Sequence, residues 1–488
     1  MAIEDEYIIT IGLEVHCELK TNTKLFCGCA NQFGSEPNTN ICPVCLGLPG
    51  SLPVINERAV EYAIRIGSAL SCEIRPSVFH RKNYFYPDMP KDYQVSQYDE
   101  PICVNGKLEL PSFPKTVRIE RAHMEEDTGK TTHVGTSGRI HGADFSLVDY
   151  NRAGIPLVEI VSAPDLSSAD EAREYVSELR AILVSTKASD GKMEEGSLRV
   201  DANVSVRPLG TEKLGTRCEI KNLNSLRSLG RAINYEARRQ MEALSAGQSI
   251  RQETRHWNED QGVTSALRSK EEAYDYRYFP EPDLTPLDPD MDEVATIARA
   301  LGILPPARRL RLRELLDGEL TRSELEQVQT CVKFDLDEHV LDAVRTGVPA
   351  RLALARGSNE LASYVNQATV DSFEVAEFPR GKFIEVISLE SQGKVSSTQA
   401  KTLLSRIASN HNEEVSALIE ELGYKAASQD EISELLDRLI SENSMEWERL
   451  CAGENQLAGF FIGKAMKITN GKVNGKTLAS EMAARRLG

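Results

Sequence analysis

The sequence predicts an α+β fold over its first 290 or so residues, followed by helical domains. Three observations carry this expectation. Ile11, Leu13, Val15, Cys17 and Leu19 alternate with Gly12, Glu14, His16, Glu18 and Lys20, the period of two of a half-buried strand. Helical stretches punctuate such strands, and much of the alternation looks antiparallel. From Met291 onward the helical period dominates and strand signals become few.

The elements follow in order. The second clear strand alternates Leu198, Val200, Ala202, Val204 and Val206 with Arg199, Asp201, Asn203, Ser205 and Arg207. Ile155 to Val161 is a shorter apolar run. Ser168-Ala-Asp-Glu171 has capping-box spacing ahead of the amphipathic stripe Ala172, Val176, Leu179, Ile182 and Leu183. Ser225 to Leu244 is similarly periodic and carries several arginines. Pro280 to Pro289 holds four prolines in ten residues, which excludes a regular helix or a central strand. It reads as the first domain boundary. Gln392 to Ser397 interrupts the later helices, and the last 80 or so residues read as a small separate bundle. The expected domains are 1–292, 293–405 and 406–488.

Composition narrows the class. The chain has 488 residues, 41% of them hydrophobic, and a formal net charge of −17. No run approaches the roughly 18 apolar residues of a membrane span, and the acidic N-terminus lacks signal-peptide character. A cytoplasmic protein without membrane partners is expected. The average charge repels phosphate, but its distribution is uneven. Residues 451–488 carry six basic and two acidic residues, and Arg227, Arg231, Arg238, Arg239, Arg251 and Arg255 form a second local excess. Such patches can contact a nucleic-acid backbone, or can be ordinary solvated surface.

Two constellations carry chemistry. Cys27-Gly-Cys29 is followed by Cys42-Pro-Val-Cys45, two close thiol pairs suited to a tetrahedral structural Zn2+. Four buried thiols are the plainer alternative. Glu14, His16 and Glu18 share one strand face, and Glu125, Glu126, Asp127, Glu159, Glu195 and Asp201 lie in or near other predicted strands. Hard oxygen ligands with an imidazole suit Mg2+ and a bound phosphate; solvated acids on a polar face are the alternative. Lys82, Arg199, Lys221, Asn222 and Arg268 could clamp a triphosphate, with ordinary surface salt-bridging the plainer alternative for any one of them. No P-loop, GxGxxG or GxSxG motif is present.

Longer motifs point to a family. Ile11-Gly-Leu-Glu-Val-His16, Lys24-Leu-Phe-Cys27, Cys42-Pro-Val-Cys-Leu-Gly-Leu-Pro-Gly50 and Arg81-Lys-Asn-Tyr-Phe-Tyr-Pro-Asp88 appear in family order. So do His123-Met-Glu-Glu-Asp127, Met193-Glu-Glu-Gly-Ser-Leu-Arg199, Glu219-Ile-Lys-Asn-Leu-Asn-Ser225 and Asp275-Tyr-Arg-Tyr-Phe-Pro-Glu-Pro-Asp-Leu284. Together they resemble the B-subunit family of aspartyl/glutamyl-tRNA(Asn/Gln) amidotransferases over nearly the whole chain. The resemblance implies a glutamine synthetase-like cradle that uses ATP and Mg2+ to phosphorylate the side-chain carboxylate of misacylated Glu-tRNA(Gln) or Asp-tRNA(Asn). It implies ammonia delivered from the amidase (A-type) partner of a heterotrimer, a small C-type partner that braces the pair, and a helical region and tail that hold tRNA. Motif matching implies Glu14, His16, Glu125, Glu126 and Glu195 as Mg2+ ligands, with Glu159 and Asp201 as further candidates. Lys82, Arg199, Lys221 and Arg268 become candidates for catalytic or ATP contacts, with Asn222 beside them, and Cys27, Cys29, Cys42 and Cys45 match the family's zinc-binding branch. A non-catalytic zinc-containing tRNA-binding module and a free-standing amide ligase are the competing readings.

Overall fold

The computed structural model describes residues 6–135, 143–266, 276–372, 378–424, 429–469, 473 and 475–487. The chain divides into two compact units, Met1–Pro306 and Ala307–Gly488.

The first unit is mixed α and β. In chain order it runs β1 (Tyr7–Glu18), α1 (Glu57–Ala69), β2 (Glu73–Ile74), β3 (His80–Asn83), β4 (Tyr93–Ser96), β5 (Cys103–Leu110) and β6 (Lys115–Glu126). Then come β7 (Lys130–Gly135), β8 (Ala143–Asp149), β9 (Pro156–Ser162), α2 (Ala169–Ser185), β10 (Leu198–Pro208), β11 (Cys218–Leu223) and α3 (Leu226–Ser245). It closes with β12 (Glu253–Asn258), β13 (Val263–Ala266), β14 (Phe279–Pro280) and α4 (Met291–Ala300). Among the described residues, twelve strands form one sheet in the order β13-β12-β11-β10-β1-β9-β6-β4-β3-β14, with β5 also on β6 and β2 on β5; β7 and β8 form a separate hairpin. Neighbours are antiparallel except β11 and β12, which α3 connects as a parallel crossover.

The alternation read from the sequence is what makes β1 and β10 central. Ile11, Leu13, Val15 and Cys17 of β1 are buried with Val200, Ala202 and Val204 of β10. Against that face pack α2, through Ala172, Tyr175, Val176 and Leu179, and α3, through Leu229, Ala232 and Ile233. Burying such a face is the main stabilising term of the unit, at roughly 25 cal/mol per Å2 of apolar area. The polar positions of β1 and β10 therefore point away from this core.

The caps repeat the sequence signals with one difference. The Ser168 hydroxyl accepts from Glu171 N at the start of α2. The Glu171 carboxylate, however, accepts from Ser167 N and Lys115 Nζ, so the reciprocal half of a capping box is not made. The proline-rich stretch is not a free linker. Phe279 and Pro280 pair with Arg81 and His80 at the sheet edge, and Ser77 bridges to Leu287. Beyond position 292, where the sequence suggests a boundary, Val294 of α4 still packs in the core of this unit.

Among its described residues the second unit contains helices and no strand. It holds two apolar clusters, one from Leu312 to Leu418 and one from Ile432 to Met482. Position 405, the expected second boundary, falls within the helix Ser397–Ser409, whose Leu403, Leu404 and Ile407 join the same cluster as Val415 and Leu418.

Tyr175 is wholly buried and its hydroxyl has no hydrogen-bond partner among the described residues. Replacing an unsatisfied buried hydroxyl by hydrogen leaves the packing intact and removes a desolvation cost of about 1 kcal/mol. Tyr175→Phe should therefore raise the midpoint of chemical denaturation, and a lower midpoint would contradict this account.

Candidate active site and cysteine cluster

Strand register assembles the site. His123 on β6 is opposite Glu159 on β9, Glu159 is opposite His16 on β1, and His16 is opposite Arg199 on β10. Residues opposite each other across neighbouring strands present their side chains on one face. Four polar side chains thus form a row across four strands, away from the core that α2 and α3 cover. Glu125 lies two residues from His123 and shares that face.

The row brings ligating atoms together. His16 Nε2 is 3.5 Å from Glu125 Oε1 and 3.7 Å from Glu159 Oε2, and His123 Nε2 is 3.5 Å from Glu159 Oε2. One ligand atom each from His16, Glu125 and Glu159 lie within 4.8 Å of one another. Burial, and then the Glu159 charge, push the Glu125 carboxyl well above the usual carboxylate range. Burial also acts upward on Glu159, but His123, His16, Arg121 and Lys82 outweigh it and hold that carboxyl low. The pair therefore favours one proton on Glu125. Burial is the largest effect on His123 and pushes it down to about 4. Two carboxylates and an imidazole around one point, with a proton where a cation could sit, fit a divalent metal ion.

A second acidic group adjoins the first. Glu14 is opposite Asp201, and Asn203 Nδ2 donates to Glu14 Oε1 at 2.9 Å. Lys221 Nζ lies 3.1 Å from Asp201 and 3.0 Å from Glu219. Burial, then Glu159 and Glu219, raise the Glu14 carboxyl. At the other end of the row Arg199 Nη2 meets Asp127 at 2.6 Å and Glu18 at 4.0 Å. Cations and carboxylates thus interleave along the face, which suits a polyanion bound through metal ions.

The four cysteines also converge. The sulfurs of Cys27, Cys29, Cys42 and Cys45 lie within 4.8 Å of one another. A tetrahedral zinc site needs sulfurs about 3.8 Å apart, so the cluster needs only a small contraction. Cys42 N donates to Cys45 Sγ at 3.1 Å, a bond that favours a thiolate there. A hydrogen bond from Cys27 is the main cause that lowers the Cys45 thiol, and the Lys24 charge adds to it. The Cys45 contact and burial push Cys27 the opposite way. The donor set fits a structural Zn2+.

A family model described as the GatB/GatE catalytic domain matches residues 9–295, and one described as a GatB domain matches residues 338–485. A protein of Thermoanaerobacter sp. (strain X514) is 44% identical over 479 residues, covering 96% of this chain and 97% of its own. One from Thermobifida fusca is 45% identical over 99% of this chain and 94% of its own, and one from Mycobacterium avium is 46% identical over 95% and 93%. All three are named as the B subunit of an aspartyl/glutamyl-tRNA(Asn/Gln) amidotransferase. This chain belongs to the GatB/GatE family.

Within this GatB/GatE chain the expected site residues divide. Glu14, His16, Glu125, Glu159 and Asp201 meet on one face, with Arg199 and Lys221 beside them. Lys82, on β3, stands 5.0 Å from the Tyr276 ring, and its charge reaches Glu125 and Glu159. Glu126 is separated from this group. It adjoins Glu125 in the strand and so faces the other way, where it binds Lys91 and accepts from Val95 N. Glu195 lies in an exposed turn before β10 and pairs with Lys192. Asn222 is on β11 but its side chain is outside the described residues, as is Arg268. The sequence pattern names His123 and Glu219 within their motifs without giving them a role, and leaves Asn203 out as a site residue. Asn203 stands on the same alternating face as Arg199 and Asp201, a signal that was present.

A raised carboxyl in the folded state makes stability fall as pH rises. Below the usual glutamate range both states are protonated; above it the unfolded chain ionises Glu125 at no cost and the folded chain does not. Glu125→Gln removes that dependence. The metal-free variant should melt roughly 2–4 °C above wild type at pH 8, with a smaller gap at pH 5. An equal gap at both pH values would contradict the burial argument.

Proposed function

We propose that this chain is the activating component of a tRNA-dependent amidotransferase. Its first unit is a glutamine synthetase-like cradle that uses ATP to phosphorylate the side-chain carboxylate of misacylated Glu-tRNA(Gln) or Asp-tRNA(Asn). A carboxylate resists amidation because its oxygen is a poor leaving group. In the first step the carboxylate oxygen attacks the γ-phosphorus and ADP leaves. In the second, ammonia attacks the acyl carbon, inorganic phosphate leaves and the nitrogen loses a proton. The product is Gln-tRNA(Gln) or Asn-tRNA(Asn).

The observation that carries this reading is the row of His123, Glu159, His16 and Arg199, with Glu125 completing a ligand set. His16, Glu125 and Glu159 would hold one Mg2+, with Glu14 and Asp201 towards a second. A bound Mg2+ neutralises charge on the transferring phosphoryl group. Arg199 and Lys221 then orient anionic oxygens along the face, and Lys82 does so from β3. A binding module for tRNA has no use for converging carboxylates, which repel phosphate without metal, so the non-catalytic reading is disfavoured. The relatives' names support an assembly of several different chains. We take the partners to be an A-type amidase that releases ammonia from glutamine and a small C-type chain, in the cytoplasm. Among the described residues no helix is long and apolar enough to cross a membrane.

The tail is proposed to hold tRNA, through fewer cations than the sequence count suggests. Lys464 donates to Asn443, and Arg485 pairs with Asp437 and Glu481. The arginines of the first unit are similarly engaged: Arg239 and Arg255 both bind the buried Glu236, and Arg231 pairs with Glu259. Lys467 is exposed on the helix Leu457–Ile468, whose Phe461 and Ala465 are buried.

Two measurements test the reading in the assembled complex. Glu125→Gln or His16→Ala should reduce ATP-dependent amide formation on misacylated tRNA by at least about 100-fold and leave glutamine hydrolysis by the amidase partner intact. Amide formation near the wild-type rate would refute the assignment. Lys467→Ala should lower the slope of log affinity for tRNA against log salt by about one unit. An unchanged slope would remove Lys467 from the tRNA contacts.

A further inference from the structure

Lys24 is fully enclosed, with 0% of its surface exposed. An ammonium removed from water needs an opposite charge nearby. Its Nζ instead donates to two neutral carbonyls, Asn40 O at 3.0 Å and Tyr150 O at 3.4 Å. Among the described residues no carboxylate lies within 4.0 Å of it. The buried Glu126 gives its Oε1 to Lys91 and Val95 N, and its Oε2 would lie 3.8 Å from a methyl group placed on Gly154.

The cysteine cluster lies beside it on three counts. Lys24 N donates to Cys29 O at 2.9 Å, and Thr23 bridges to Ala30, so Lys24 belongs to the loop that carries Cys27 and Cys29. A methyl group placed on Gly154 would be 3.6 Å from both Lys24 Cδ and Cys45 Cβ, so the lysine stem and the fourth cysteine flank the same residue. Lys24, Cys27 and Cys45 line one cavity of about 110 Å3. Gly154 has φ +85°, a backbone conformation that favours glycine, and a methyl group there would touch both at ordinary van der Waals distance.

Charge then links the two features. Four thiolates around Zn2+ carry a net charge of −2, whereas four thiols carry none. We propose that Lys24 is the built-in counter-charge of the four-cysteine centre, a positioning residue that favours its zinc-loaded tetrathiolate form. The proposal rests on the reading of Cys27, Cys29, Cys42 and Cys45 as a zinc site. Without the metal, the same ammonium is a buried charge held only by neutral carbonyls within hydrogen-bond reach. Removing it should therefore weaken zinc binding while easing the metal-free fold. A merely structural lysine would change both forms in the same direction.

The test uses the full chain, with Lys24→Met and Lys24→Gln. Zinc affinity is read by competition with a chromophoric chelator, and thermal midpoints are taken with and without zinc. Wild type should hold one zinc per chain. Both variants should bind it at least about tenfold more weakly, the range for a residue that supports metal ligands. Their metal-free midpoints should equal or exceed that of metal-free wild type. Zinc affinity within twofold of wild type in both variants would overturn the role of Lys24 and leave the zinc site standing. Wild type without zinc would overturn the zinc site itself. Amine labelling of wild type, read by mass spectrometry, covers the case in which neither variant folds. Lys24 should be protected when zinc is bound and labelled faster once zinc is chelated. Equal protection in both states would overturn the proposal.

Discussion

The register between β1 and its neighbours is the constraint on which the site depends. A strand alternates its side chains, so a slip of one residue would turn His16 into the core and Val15 towards the ligands. The apolar residues Ile11, Leu13, Val15 and Cys17 prevent this, because a slip would expose all four. The core that α2 and α3 complete thus sets the positions of His16 and Glu159 as surely as any polar contact. Packing on one face specifies chemistry on the other.

That polar face is costly to the empty protein. Glu14, Glu18 and Glu125 all sit where burial raises their carboxyls, and neighbouring acids add to the effect. A fold selected for stability alone would replace such groups. Their clustering over β1 and β6, beside Arg199 and Lys221, is what a site for metal and phosphate requires. The proposed zinc site would repeat the pattern on a smaller scale: the buried ammonium of Lys24 lies beside four thiols that would carry net negative charge only as a zinc-bound tetrathiolate.

Net charge misleads here in both directions. The value of −17 hides local cationic stretches, yet many of those cations are internally paired. Glu236, wholly buried, draws in Arg239 and Arg255. A basic stretch can serve as a nucleic-acid surface only where its charges remain exposed, and exposure, such as that of Lys467, is a property of the fold.

The sequence by itself determined the strands β1 and β10, the helices behind Ser168 and Ser225, the four-cysteine cluster, and His16, Glu125 and Glu159 as candidate ligands. Periodicity and motif spacing are local, and these features are carried by local order or by long, specific motifs. Tertiary structure decided the rest. Pairing between strands distant in the chain placed Asn203 on Glu14 and Lys221 between Asp201 and Glu219. It separated Glu126 from Glu125, although alternation along one strand already implied as much. It seated the proline-rich segment on the sheet edge, because Phe279 and Pro280 found an unpaired strand there. It put Glu195 in a solvated turn, where its spacing from Arg199 brings no carboxylate to the row. Which side chains meet depends on strand order and register, and those are set by the collective burial of the sheet's apolar face.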